Sequence, residues 1–241
     1  MVRFTLSEQN SSKIFFRIKL RRRFALNQIE MKNLLKKQAI LDIIVTPEHD
    51  AWLRLVSYQY DPVKHCDRFK IDNGSGDHLY ALFSPKGAIL KGFDHESCLS
   101  PYQNEYGHPV AGIYDNIPAE LLQLLDDETE KDTVTFCTWQ GVGETLWHQN
   151  QIILPDLCWQ QDNQQLEDGG QSLLMSYIFA SAEDWFAWAS IYYELREEAW
   201  DATELLYETG EITRSMVEDL NPDRDYDTVL DECIVSGLLE E

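Results

Sequence analysis

The stretch HLYALFSPKGAILKGF, residues 78–93, constrains the fold more than any other part of the chain. Two short apolar runs, HLYALF and AILKGF, flank Ser84-Pro85-Lys86-Gly87. Proline presets φ for a turn, and glycine accepts the positive φ that tight turns often need. Apolar runs this short, joined by such a turn, read as a β-hairpin. Pairing across 84–87 sets residue i opposite 171 − i, so His78 faces Phe93. That register makes Asp77 and His78 expected neighbours of Asp94 and His95.

The segments before and after extend the pattern. Residues 33–45 place Leu34, Leu35, Ile40, Leu41 and Ile44 at helical spacing, stopped by Pro47. WLRLVSYQY (52–60) reads as a strand closed by Asp61-Pro62, and Asp72 to Asp77 as a turn-rich loop. Residues 94–117 are rich in proline and glycine, and Pro118 then opens a helix, PAELLQLLDD. DTVTFCTWQ (132–140) alternates as a strand, and Gly141-Val142-Gly143 turns it into a partner, ETLWHQ. A polar, irregular segment fills 155–170.

Beyond Gly170 the period changes from strand to helix. Ser181, with Asp184 three residues on, resembles a capping box. Trp185, Trp188 and Tyr192 follow at i, i+3, i+7 and read as a core stripe, and shorter helices are expected near 200–208 and 213–220. Tyr226, Val229, Leu230, Cys233 and Ile234 form a last stripe. The expected fold class is α+β: a mostly antiparallel sheet in the first two thirds, with helices of the last third packed on one face. With no internal repeat or long linker, residues 31–241 read as a single α+β domain. Residues 1–30 read as a basic, weakly packed extension.

Composition narrows the function classes. Hydrophobic residues make up 44% of 241, which excludes a disordered chain. Cys66, Cys98, Cys137, Cys158 and Cys233 show no CxxC spacing and read as reduced thiols in a cytoplasm. The basic run KIFFRIKLRRRF (13–24) has the charge order of no secretory signal, and no window approaches a membrane span. The net charge is −22 and lopsided. Residues 1–40 hold 10 basic and 2 acidic side chains, a balance of +8; the rest hold 10 and 40, a balance of −30. Such a body repels phosphate backbones, so direct nucleic-acid binding is disfavoured, whereas a basic protein is attracted.

Two sets of residues are candidates for chemistry. KGFDHES (91–97) leaves the hairpin, where Asp94 could orient His95 through Nδ1 and Glu96 could add a second carboxylate. With Asp77 and His78 beside them, these residues read as a hydrogen-bonded structural loop, a polar recognition surface for binding, or a centre for acid–base chemistry or a metal. Side chains on an extended segment alternate faces, however, so they converge only if the chain bends. The second set is the acidic run Glu194, Glu197, Glu198 and Asp201, within a stretch (166–241) of 20 acidic and 3 basic side chains. Like charges at i, i+3 and i+4 oppose helix formation unless something offsets them, and a basic partner would. No GxSxG, P-loop or GxGxxG motif is present, and no catalytic residue, metal or cofactor is assigned.

LYALFSPKGAILKGFDHESCLSPY (79–102), PVAGIYDNIPAELLQLLDD (109–127), TFCTWQ (135–140) and NPDRD (221–225) together resemble a family of uncharacterised bacterial cytoplasmic proteins. The resemblance spans about residues 48–237 and implies no activity. In its acidic, Trp-rich α+β character the chain also resembles immunity proteins of contact-dependent toxin systems. The expected role is an acidic protein-binding module that regulates a basic partner such as a toxin. The alternative is an enzyme or metal protein built on Asp77, His78, Asp94, His95 and Glu96.

Overall fold

The computed structural model describes residues 26–103, 107–152 and 168–240. Its centre is a six-stranded sheet in which each strand pairs antiparallel with the next in sequence. The strands are β1 (Val56–Asp61), β2 (Cys66–Asp72), β3 (His78–Ser84), β4 (Gly87–Phe93), β5 (Phe136–Gly141) and β6 (His148–Gln149). The helices are α1 (Gln28–Val45), α2 (Ala119–Leu122), α3 (Gln171–Leu174), α4 (Ala182–Tyr192), α5 (Ala199–Thr209), α6 (Arg214–Leu220) and α7 (Tyr226–Ser236). The architecture is α+β, as the change of period implies.

The β3–β4 hairpin takes the expected register, His78 opposite Phe93 and Ser84 opposite Gly87. Every residue from Gly87 to Phe93 is buried, because both faces of the sheet are covered. On one face Phe69, Ile71, Leu79, Ala81, Phe83 and Leu90 meet α1 and the C-terminal helices. On the other, Leu82, Ile89 and Trp139 meet Ile113, Leu121 and Leu125 of the loop-rich segment with α2. Gly92 permits this closeness: a Cβ there would lie 2.0 Å from the Phe136 ring.

Four departures from the sequence reading have physical causes. First, α1 begins at Gln28, ahead of the expected 33. The Asn27 side chain accepts from the Ile29 and Glu30 amides, while Glu30 Oε2 accepts from the Asn27 amide at 3.0 Å, which closes a capping box. Leu26 packs against the core, Trp147 Nε1 donates to its carbonyl at 2.8 Å, and the Gln28 amide donates to Gln140 Oε1 at 2.9 Å. Leu26 and Gln28 thus contact the body while Ile29 and Glu30 are exposed; residues 1–25 of the expected extension lie outside the described residues.

Second, CDRFKID forms β2, a strand the sequence reading leaves unassigned. Asp67, Arg68 and Lys70 interrupt its apolar pattern, yet each finds a partner. Asp67 meets Lys32 at 3.0 Å and Lys36 at 3.5 Å, while Arg68 meets Glu128 at 2.7 Å and Asp126 at 3.5 Å. Third, a 3₁₀ segment at Glu48–Leu53 takes Trp52 and Leu53 out of the expected strand, which starts at Val56. The helix after Pro118 is also short, because Asp126 and Thr129 cap a separate turn at Asp127–Thr129.

Ser181 caps α4 by accepting from the Asp184 amide, and Trp185 is fully buried. Phe186, Trp188 and Tyr193 pack on the core, whereas Tyr192 remains 43% exposed and stacks on Trp188 at 4.7 Å. Cys66, Cys137 and Cys233 are free and buried. Cys98 is disulfide-bonded, which corrects the expectation of uniformly reduced thiols; local spacing does not reveal which cysteines meet in space. Cys158 and most of the 155–170 segment lie outside the described residues. Among the described residues no helix is long and apolar enough to cross a membrane.

Candidate functional site

The hairpin register brings the residues before β3 alongside those after β4, so Asp77 lies next to His95. The Asn73 side chain builds the loop that aims Asp77. Asn73 Oδ1 accepts from the Ser75 and Asp77 amides at 2.9 and 3.3 Å, and Nδ2 donates to Asp77 Oδ2 at 2.9 Å. Asp77 Oδ1 then accepts two bonds from one residue, the His95 amide at 2.9 Å and the His95 Nδ1–H at 2.6 Å. Burial of Asp77 works against its charge, but the bonds from the His95 amide, Asn73 and the His95 ring outweigh it and hold the carboxyl below its usual range. The same bond raises the pKa of the exposed His95 ring.

The expectation that Asp94 orients His95 is thus corrected: Asp77 does so from the opposing strand. Asp94 turns to its own loop. Its Oδ1 accepts from the Glu96 amide at 2.9 Å, and its amide donates to Thr135 Oγ1 at 3.0 Å. Glu96 is 85% exposed, its carboxylate 4.0 Å from His95 Nε2. Ligand atoms of Asp77, Asp94 and His95 all lie within 4.8 Å of one another. The arrangement is an Asp–His dyad with Nε2 toward solvent. It can carry a proton or offer a nitrogen ligand, but among the described residues no hydroxyl or thiol hydrogen-bonds to Nε2 to serve as a nucleophile.

His78 does not join this group. Alternation along β3 sends it to the sheet face that carries Tyr80 and Lys91. Lys91 is fully buried and donates to His78 Nε2 at 3.1 Å and to the Thr129 carbonyl at 3.1 Å, 5.1 Å from the Tyr80 ring centroid. Glu130 stands over the cluster, 3.6 Å from His78 Nε2 and accepting from the Tyr80 hydroxyl at 3.1 Å. Desolvation, opposed by Glu130, lowers the Lys91 ammonium to about 7. Desolvation and Lys91 together lower His78 to about 4, which leaves Nε2 unprotonated to accept from the lysine. The sequence reading missed Lys91 as an ionisable centre. The available signal was a lysine inside the apolar run AILKGF.

Glu194, Glu197 and Glu198 occupy the connection between α4 and α5, and Asp201 lies in the first turn of α5. All four are exposed, and among the described residues none makes an ion pair. Several cations elsewhere are engaged with other acids. Arg54 and Arg224 clasp Glu232, and Lys64 and Arg68 meet Asp126. Lys70 meets Asp72, and Arg214 meets Asp227. Ile191 (84% exposed), Tyr192 and Leu205 add apolar surface near the acidic residues. Comparison with protein-family models, with curated proteins and with solved structures finds no match.

Proposed function

We propose that the chain is an acidic protein-binding module whose α4–α5 face receives a basic protein. The carrying observation is that Glu194, Glu197, Glu198 and Asp201 stand exposed beside Ile191 and Tyr192 and, among the described residues, make no ion pair. Cations around β2 and at Glu232 pair with their own acids, and no described cation pairs with these four. Exposed apolar groups beside a mostly acidic segment suit an interface in which electrostatics steers encounter and apolar contact slows release. The partner belongs to the basic proteins, of which a toxin or a nucleic-acid enzyme is the immunity-like case. A bacterial cytoplasm is the proposed setting, supported by three free thiols and opposed by the bonded Cys98. Binding to a Lys-rich peptide should weaken steeply as salt rises from about 0.05 to about 0.5 M. Affinity indifferent to salt would remove the electrostatic basis.

A second reading rests on the close grouping of Asp77, Asp94 and His95. It makes the loop a metal or acid–base centre. Its test is the zinc and manganese content of the purified protein before and after His95→Ala. Stoichiometric metal lost in the variant would favour this reading over the acidic face.

A further inference from the structure

Apart from the acidic face, we propose that the 127–130 turn is a proton-operated flap, which lifts from the second sheet face when Lys91 is charged. Lys91 is fully buried on β4, and among the described residues no carboxylate lies within ion-pair distance of its Nζ. It donates instead to His78 Nε2 and the Thr129 carbonyl, each at 3.1 Å. A buried ammonium without a counter-charge is costly, so any state that admits water to it gains when the proton is bound.

The turn is the part that can admit water. Thr129 is itself fully buried against Lys91, and the Glu130 carboxylate stands over His78 and accepts from the Tyr80 hydroxyl at 3.1 Å. The amides of Thr129, Glu130, Lys131 and Thr133 bond within the segment itself, at 2.8–3.3 Å, so lifting it breaks no strand ladder. The bonds that lifting gives up, from Tyr80 to Glu130 and from Arg68 to Glu128, both end on solvent-exposed carboxylates. Asp126, paired with Lys64 and Arg68, and Lys131, whose carbonyl accepts from the Tyr114 hydroxyl, anchor the two ends. Glu130 adopts a left-handed φ of 51°, a strain that lifting relieves.

The titratable and charged groups facing Lys91 come from each element around it: His78 and Tyr80 from β3, Lys70 from β2, Cys137 from β5 and Glu130 from the turn. Burial holds the Cys137 thiol and the Tyr80 hydroxyl protonated, and burial with Lys91 keeps His78 unprotonated down to about 4. Desolvation, opposed by Glu130, brings Lys91 from 10.5 to about 7 while the turn is down. Between those values the lifted form holds a proton that the closed form has released. Lifting therefore increases as pH falls and levels off below about 7.

Hydrogen exchange of the full chain, read amide by amide by NMR from about pH 6 to about pH 9, tests the flap. The opening constants of the Lys131 and Thr133 amides should exceed those of the β3 amides. They should rise about tenfold per unit as pH falls from about 9 to about 7, then flatten. Lys91→Met, similar in length and uncharged, should abolish that slope and leave β3 protected. The proposal is overturned by turn amides whose opening ignores pH, by a slope that survives Lys91→Met, or by turn and β3 amides that open with one constant. If Lys91→Met does not fold, the ¹³Cε resonance of Lys91 in the unaltered chain decides: a midpoint within about one unit of 7 sustains the flap, and one near about 10.4 removes its driving force.

Discussion

Two acidic regions of this molecule treat their charge in opposite ways. Around β2, Asp61, Asp126, Glu128 and Glu130 gather near Arg68 and Lys70. At the α4–α5 junction, Glu194, Glu197, Glu198 and Asp201 face solvent with only Arg196 among them. The first region uses carboxylates to let a charged strand sit inside a sheet covered on both faces. The second leaves them unmatched among the described residues, and three of the four lie on the α4–α5 connection rather than on a helix face. The role of a carboxylate is thus set by the cations the fold brings to it, and a count along the sequence does not reveal that.

The largest expected effect breaks an internal pairing. Glu232 bridges Arg54 at 2.6 Å and Arg224 at 2.8 Å, and both guanidinium groups are more than nine-tenths buried. Glu232→Ala strands two buried cations, so urea unfolding should show a loss of about 3–5 kcal/mol. A loss below about 1 kcal/mol would show that internal pairing does not separate the two regions.

Asp42 sharpens the contrast from within. It is fully buried and accepts from the Val56 amide at 2.6 Å and the Tyr193 hydroxyl at 3.0 Å. Burial, opposed by these bonds and by Arg54, raises its carboxyl from 3.8 to about 7. Between those values the folded protein holds a proton that the unfolded chain has released. Stability therefore falls as pH rises across that window, by roughly 1.4 kcal/mol per pH unit from this group. Asp42→Asn should flatten that slope in urea titrations at successive pH values; an unchanged slope would contradict the assignment. The smallest effect belongs to the outer region. Neutralising Glu194, Glu197, Glu198 and Asp201 together to Gln and Asn should change stability by no more than about 0.5 kcal/mol. A larger loss by the same melts would mean that these acids hold the fold together.

The sequence carried the hairpin in full, since Pro85 and Gly87 fix a turn and a turn fixes register. It carried the change of period at residue 181 for the same local reason. It did not carry β2, whose apolar alternation is broken by charges that only Lys32, Lys36, Asp126 and Glu128 explain, all distant along the chain. The candidate loop was half legible. Register brought Asp77 to His95, but the direction of each side chain decided the chemistry. Asp77 displaced Asp94 as the partner of His95, and pleat alternation sent His78 away to Lys91. The burial of Lys91 follows from the segment over the second sheet face, whose path is not local information.

The most direct test is fluorescence anisotropy of a labelled Lys-rich 20-residue peptide against two variants. One neutralises Glu194, Glu197, Glu198 and Asp201; the other neutralises Glu48, Glu120, Glu183 and Glu218, exposed acids dispersed over the chain. Each moves the net charge from −22 to −18. Loss of about tenfold or more in affinity for the first variant and less than about twofold for the second is the predicted result. Equal losses would contradict a defined α4–α5 interface and leave only the attraction of any acidic surface for any basic chain.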